Sequence, residues 1–344
     1  MKYRSTSRLA LAVGLTLAVA ASAITALSAN AAPAKSQKTI RIAYFAPLAN
    51  TYVQGELRGI AGVLKKYPGA QLVKVDTGFD ATKQYNSVQD AITQKKFDGF
   101  IVLPLDSVGL VPVVQQAIKA GIKVVNADTP LGPSQSAQNP QVKGESGAVF
   151  DPWTMRGVWA GKLIQQACKG VNPCKVGWMS SVAALPSEKA YQTSAYAYIK
   201  KFPNITIVAE ADGGAYTAAG GQKVSQDMLT AHSDMNVLLA NGDQPASGAV
   251  LSIAAAGLTK KVKLIGGAVS TISKPLIQEG KQWGSWAAYP EDEGKFAAQI
   301  VMDAINGKLK KPIGVSPAVE RVKAGQSPLI TKANVGKFKP QYAG

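Results

Sequence analysis

Short apolar runs alternate with segments of helical period along most of the chain. The runs cover residues 40–46, 71–76, 99–103 and 123–127, then 175–180, 205–210, 236–240, 262–266 and 284–288. Most are continuously apolar instead of alternating, as expected of strands buried on both faces of a parallel sheet. The intervening segments carry a one-sided stripe: Leu110, Val113, Val114, Ala117 and Ile118 in one, Tyr85, Val88 and Ile92 in the one before it. Asp80 and Thr82 stand where an N-cap is expected, and Gly121 where a helix should stop. Strand starts fall roughly 22 to 31 residues apart, the repeat of a strand-helix-strand unit.

A stretch rich in Pro, Gly, Ser and Gln at residues 129–143 divides the strands into two sets. The pattern therefore predicts two doubly wound α/β lobes, each built on a parallel sheet. In open sheets of this kind the ligand lies beyond the carboxyl ends of the strands. The polar residues at those ends are Asn50, Asp106, Asn126, Asp128 and the run Asn241-Gly242-Asp243.

Composition narrows the chemistry. With 46% hydrophobic and 17% charged residues over 344 positions the chain is globular in type, and one histidine and two cysteines supply few parts for a zinc site or a catalytic triad. No Gly-x-Ser-x-Gly, Walker A, Gly-x-Gly-x-x-Gly after the first strand, or His-Glu-x-x-His occurs. Binding without catalysis, cofactor or metal is the expectation. Residues 1–31 begin with Lys2, Arg4 and Arg8, continue through an apolar run and close on Ala29-Asn30-Ala31, the plan of a secretory signal peptide cleaved near Ala31. Those three basic residues account for part of the formal charge of +17, leaving +14 beyond them. The remaining lysines and arginines are scattered, so a solvated basic surface is expected and no nucleic-acid partner. Cys168 and Cys174 flank a turn-rich Lys-Gly-Val-Asn-Pro connection; in an oxidising compartment they would form a local disulfide, with two unpaired thiols as the alternative. His232 stands at a helix end, and Trp178 and Trp286 lie inside strand-like runs that suit core packing.

The stretch ending Pro47-Leu48-Ala49-Asn50-Thr51-Tyr52, the run from Phe97-Asp98-Gly99 to Asp106-Ser107, the run from Ala120-Gly121 to Asp128, and residues 234–249 and 262–266 together resemble the periplasmic sugar-binding proteins of the ribose-binding type. The resemblance covers nearly the whole chain beyond residue 38. It implies a type I periplasmic binding protein: two lobes joined by a three-segment hinge, crossing near 150–151, 288–290 and 311–315. On that reading residues 39–150 and 289–312 form the first lobe, and residues 151–288 and 313–344 the second. A related group of repressors shares this core, but the chain opens on an apolar leader, not a helix-turn-helix.

Sugars offer many hydroxyls and apolar C–H faces, so they ask for carboxylates, amides and aromatic rings. The resemblance places Asp128, Asn50, Tyr52 and Tyr216 at such positions, with Trp153 just past the first crossing able to close the cleft. Asn241 and Asp243 are further candidates, although Asp243 suits an anchor for its own loop equally well. The family commonly has an arginine after its aspartate and another on the first helix of the second lobe; this chain has Thr129, and Gln192 or Thr193. Gly242, Gly267-Ala268 and Ala288 replace other polar positions, which predicts a pocket less charged and more apolar than a ribose site. The segment 328–338 resembles the branch containing rhamnose-binding and autoinducer-2-binding proteins. The implied function is a monomeric, extracytoplasmic solute-binding protein, periplasmic or secreted. It would deliver a sugar, deoxysugar or polyol to an ABC permease in the cytoplasmic membrane. Alternatives are a receptor subunit for chemotaxis or a sensor kinase, with a small neutral non-sugar molecule as an alternative ligand, and a secreted hydrolase on the same scaffold.

Overall fold

The structure, a computed structural model, describes residues 39–344 except Ala215; the expected signal peptide lies outside the described residues. The first lobe begins with β1 (Ile40–Ala46), α1 (Thr51–Leu64), β2 (Ala70–Asp76), α2 (Ala81–Thr93), β3 (Gly99–Val102), α3 (Val111–Lys119), β4 (Lys123–Ala127) and β5 (Gly147–Val149). The second contains α4 (Trp153–Ala167), β6 (Cys174–Ser180), α5 (Pro186–Ile199), β7 (Ile205–Asp212), α6 (Ala218–Ala231), β8 (Val237–Ala240), α7 (Asp243–Ala255), β9 (Lys263–Gly267), α8 (Ser273–Glu279) and β10 (Gly284–Trp286). The chain then returns to the first lobe for α9 (Pro290–Ile305) and β11 (Ile313–Val315), and crosses again for α10 (Pro317–Lys323) and β12 (Leu329–Thr331).

Two six-stranded sheets result, in the orders β11-β5-β4-β3-β1-β2 and β12-β10-β9-β8-β6-β7. Every pairing is parallel except β10 with β12. The chain is thus two parallel-sheet α/β lobes. Continuous apolarity has its explanation in the middle strands. In β1, Ile42, Tyr44 and Ala46 enter a core under α1 and α9, while Ala43 and Phe45 enter a separate core under α2 and α3. A strand that feeds two cores has no face left for polar residues.

One boundary expectation is corrected. Residues 313–315 were assigned to the second lobe, but Ile313, Gly314 and Val315 pair with Gly147, Ala148 and Val149 of the first sheet, so the third crossing follows Val315. A three-residue apolar strand is too short for its period to reveal its partner. Run 284–288 likewise stops being strand at Trp286.

Local chemistry fixes the helix starts that face the cleft. Asn50 caps α1 by accepting from Tyr52 N at 2.8 Å, and Asp80 caps α2 by accepting from Lys83 N at 2.9 Å. A disulfide joins Cys168 at the end of α4 to Cys174 at the start of β6. No helix of the described residues is long and apolar enough to cross a membrane.

The loop between β4 and β5 buries Glu145, one of whose carboxyl oxygens has no partner. Burial pushes this carboxyl up to about 8. It therefore stays protonated in the folded protein at pH values where the unfolded chain has already ionised, and the folded state holds the extra proton. Stability should fall as pH rises from about 4.5 to about 8. Glu145→Gln, neutral throughout, should lose less stability between pH 5 and 8 than the wild type, by roughly 1 kcal/mol or more in urea unfolding. Equal losses in the two proteins would contradict this assignment.

Candidate functional site

The carboxyl ends of the two sheets face each other across a partly open cleft with about 690 Å³ of atom-free space, counted out into the solvent at its mouth. The first lobe contributes Pro47, Asn50, Tyr52 and Val53 from the β1 loop and α1, Phe79 beyond β2, Leu103, Pro104 and Leu105 beyond β3, and Asp128 and Thr129 beyond β4. The second contributes Trp153 and Arg156 from the first turn of α4, Leu185 and Ser187 beyond β6, Tyr216 beyond β7, Asn241, Gly242 and Gln244 beyond β8, Gly267 and Ala268 beyond β9, and Trp286 from β10. Tyr342 completes the wall.

The charged groups gather on the hinge side. Asp128 leaves β4 in the left-handed region with φ of 57°, and its carboxylate accepts from Arg156 Nη1 at 2.9 Å. The other end of that guanidinium donates to Glu293, in the first turn of α9, at 3.1 Å. Its faces lie 4.6 Å from the Trp153 ring centre and 5.2 Å from that of Trp286, within cation–π range. Tyr52 donates to the second Glu293 oxygen at 2.9 Å, and Tyr44 donates to Glu56 behind it. One guanidinium thus faces Asp128 and Glu293, with Glu56 near by. Burial, reinforced by the Asp128 charge, holds both glutamates well above the usual carboxylate range.

The opposite end of the cleft is apolar and aromatic. Phe79 of one lobe stacks on Tyr216 of the other, with ring centres 5.9 Å apart and 21° between planes. The Tyr216 hydroxyl donates to Glu188 at 2.6 Å, and Asn241 donates to the second oxygen of that carboxyl at 2.8 Å. Burial raises the Glu188 carboxyl, although these donors oppose the shift. Gln244 donates to Thr51 across the cleft at 3.1 Å.

Of the residues singled out by sequence, Asn50, Tyr52, Asp128, Trp153, Tyr216 and Asn241 line this one cavity. Two do not. Gln192 lies on α5, where its amide donates to Tyr196 at 3.1 Å and Glu210 at 2.9 Å, outside the cleft. The first helix of the second lobe is α4, and it brings an arginine, Arg156, into the cleft. Arg156 adds a charge beside Asp128 that the sequence reading did not place there, while most of the remaining lining is apolar. Asp243 is buried beneath the cleft, accepting from the Ser270 amide and the Ser273 hydroxyl, with burial raising its carboxyl to about 7. It anchors the loop after β9. Trp178 is core, as its strand position suggested, whereas Trp286 packs in the core and also lines the cavity.

Sequence reasoning passed over Arg156, Glu293, Glu188, Phe79 and Tyr342. For Arg156 a signal existed: Trp153, Arg156, Ala160, Leu163 and Ala167 follow helical spacing, and all are buried. An arginine on such a stripe must be paired or it would not be tolerated. Among the described residues no group of three His, Cys, Asp or Glu side chains could hold a metal ion.

Comparison with known proteins agrees with this architecture. The family described as periplasmic binding protein domain matches residues 42–309. The D-ribose/D-allose-binding protein of Pseudomonas aeruginosa is 28% identical over 251 residues, 73% of this chain and 74% of that protein. The ribose import binding protein of Bacillus subtilis is 25% identical over 261 residues, 76% of this chain and 80% of that protein. In fold, a solute-binding protein of an ABC transporter from Bacillus halodurans, solved with bound myo-inositol, superposes with a TM-score of 0.76 at 17% identity, over 90% of this chain and all of that one. Two parallel-sheet lobes, a cleft at their carboxyl ends and a family match spanning most of its length establish that the chain belongs to the periplasmic binding protein family.

Proposed function

We propose that the chain is the extracytoplasmic solute-binding protein of an ABC importer, holding one small carbohydrate-like solute between its lobes and presenting the closed form to a membrane permease. The observation that carries the reading is the pairing of Asp128 of one lobe with Arg156 of the other, against two indole faces, inside the interlobe cleft. Asp128 can accept from sugar hydroxyls with the oxygen not engaged by Arg156. Asn50, Asn241 and Gln244 can donate or accept, and Tyr52, Trp153, Tyr216 and Trp286 offer ring faces to C–H surfaces. The solute classes named for the relatives, ribose and allose, and the bound myo-inositol of the structural neighbour support a sugar or polyol. The predominance of apolar lining beyond β3 and β6 admits a deoxysugar. On this reading the chain acts as a monomer, in the periplasm or outside the cell after removal of residues up to about Ala31, and leaves its solute chemically unchanged. The lobes, 39–150 with 289–315 and 151–288 with 316–344, close by rotation about the three crossings.

Calorimetry and thermal shift across pentoses, hexoses, deoxyhexoses and polyols test the reading. At least one should bind and raise stability, by about 2.7 kcal/mol at a hundredfold excess over Kd. Asp128→Ala should weaken that solute by about ten- to a hundredfold, the worth of one or two charge-assisted hydrogen bonds. A panel without a binder, or an unaffected variant, would remove the proposal.

A further inference from the structure

Tyr342 reaches the cavity from a segment that touches both lobes. On the second lobe, Thr271 N donates to Tyr342 O at 3.1 Å and Ile272 N to Ala343 O at 3.2 Å, while the Tyr342 hydroxyl donates to the Ala268 carbonyl. On the first lobe, the neighbouring Gln341 pairs with Asp292 at the start of α9 in both senses. Its amide donates to the Asp292 carboxylate at 2.9 Å, and the Asp292 N–H donates to its amide oxygen at 3.1 Å. Arg58 of α1 donates to the Gln341 carbonyl. The Tyr342 ring itself meets Tyr52 of the first lobe edge-on, with centres 5.5 Å apart.

We propose that residues 341–343 form a non-covalent interlobe strap and that Tyr342 is a specificity-determining residue of the solute site. The argument is mechanical. Residues 341 and 342 lie in a bend, and even fully extended three residues span at most about 10 Å, so once the lobes separate beyond that small slack one set of contacts must break. The second-lobe set includes two main-chain hydrogen bonds plus a buried tyrosine hydroxyl. The first-lobe set depends on one partly exposed glutamine side chain and one carbonyl. Opening therefore releases Gln341 from Asp292 and Arg58, and withdraws the Tyr342 ring from Tyr52 together with the second lobe. In the shut state that ring closes the cavity wall between Tyr52 and Ala268, where its bulk limits the size of the solute.

The affinity arm of the test rests on the proposed solute-binding role; the distance arm does not. Spin labels at Val108→Cys and Leu251→Cys, exposed positions on opposite lobes, report lobe separation without solute, and no free cysteine exists among the described residues to compete for label. Gln341→Ala, and independently Arg58→Ala, should shift the distance distribution toward longer values. They should also raise Kd for the tightest solute of the panel by about five- to tenfold, mostly through faster release. Tyr342→Ala should improve binding of that solute's methyl glycoside or methyl ether relative to the solute itself by about tenfold, while Tyr342→Phe keeps the parental preference. Distance distributions unchanged in both strap variants would overturn the strap, and an unchanged preference in Tyr342→Ala would overturn the specificity role. If the parent binds nothing in the panel, the solute-binding reading fails, and the spin-label distances still decide the strap.

Discussion

Arg156→Met should cost about 3–5 kcal/mol of stability and abolish solute binding. Methionine keeps most of the apolar stem and removes the charge. The guanidinium is 1% exposed and pairs with Asp128 and with a Glu293 that is wholly buried. Both partners would then be left with no cation beside them, and Glu56 lies near enough to feel the same field. Breaking a buried pair by deleting one member is far more damaging than replacing the whole pair, because the surviving charge retains its desolvation cost. The variant offers a second signature. Burial already holds Glu293 above its unfolded-state value, and removing the cation raises it further, so relative to the wild type the variant gains stability as pH falls. The deficit measured by urea unfolding should accordingly shrink between pH 7 and pH 5. Arg156→Lys should not rescue binding, since a single ammonium cannot bridge two carboxylates while stacking between two indoles. A deficit below 1 kcal/mol, or one independent of pH, would show that the cluster is not held by this residue.

The second large effect concerns how α9 is seated. A Cβ on Gly294 would lie 2.0 Å from the Glu56 carbonyl oxygen, and one on Gly59 equally close to that of Glu291. The helices α1 and α9 therefore touch backbone to backbone, which is what brings Tyr52 and Glu56 of one beside Glu293 of the other. Gly294→Ala gains about 1 kcal/mol of helix propensity but forces two main chains apart, and the net result should be a loss of about 2–3 kcal/mol. Because the displacement also separates Glu293 from Arg156, solute affinity should fall in the same variant. Gly62 on the same helix α1 provides the control: a Cβ there meets nothing within 4 Å, so Gly62→Ala should stabilise by about 0.5–1 kcal/mol. Equal unfolding midpoints for the two alanine variants would contradict the close-packed crossing.

Much of this was legible in the chain because the central strands of a parallel sheet feed two cores. That requirement writes apolar stretches that do not alternate with polar residues into β1, β3, β4, β6 and β8, and polar residues at their carboxyl ends mark the cleft. Asp128 and Asn241 were found in that way, and Asn50 from its place between β1 and α1. The three-residue strands β5, β11 and β12 carry too few positions for a period, so the last crossing was misplaced. Arg156 escaped notice for a different reason. Its partner Glu293 is 137 residues away, beyond the second crossing, so the α4 stripe says that Arg156 must be paired but nothing local names the partner. The expectation at Gln192 failed because its face of α5 turns to Tyr196 and Glu210 instead of the cleft. Asp243 shows the limit of reading strand ends, since a carboxylate there can turn inward to two serines as readily as outward to a ligand.

The most direct test is a crystal structure grown with the tightest-binding sugar or polyol. The account predicts the solute enclosed between the lobes, with a hydroxyl on the Asp128 carboxylate and a C–H face against Trp153 or Trp286. A solute bound on the outside of either lobe, or within the cleft but out of reach of Asp128, would contradict it.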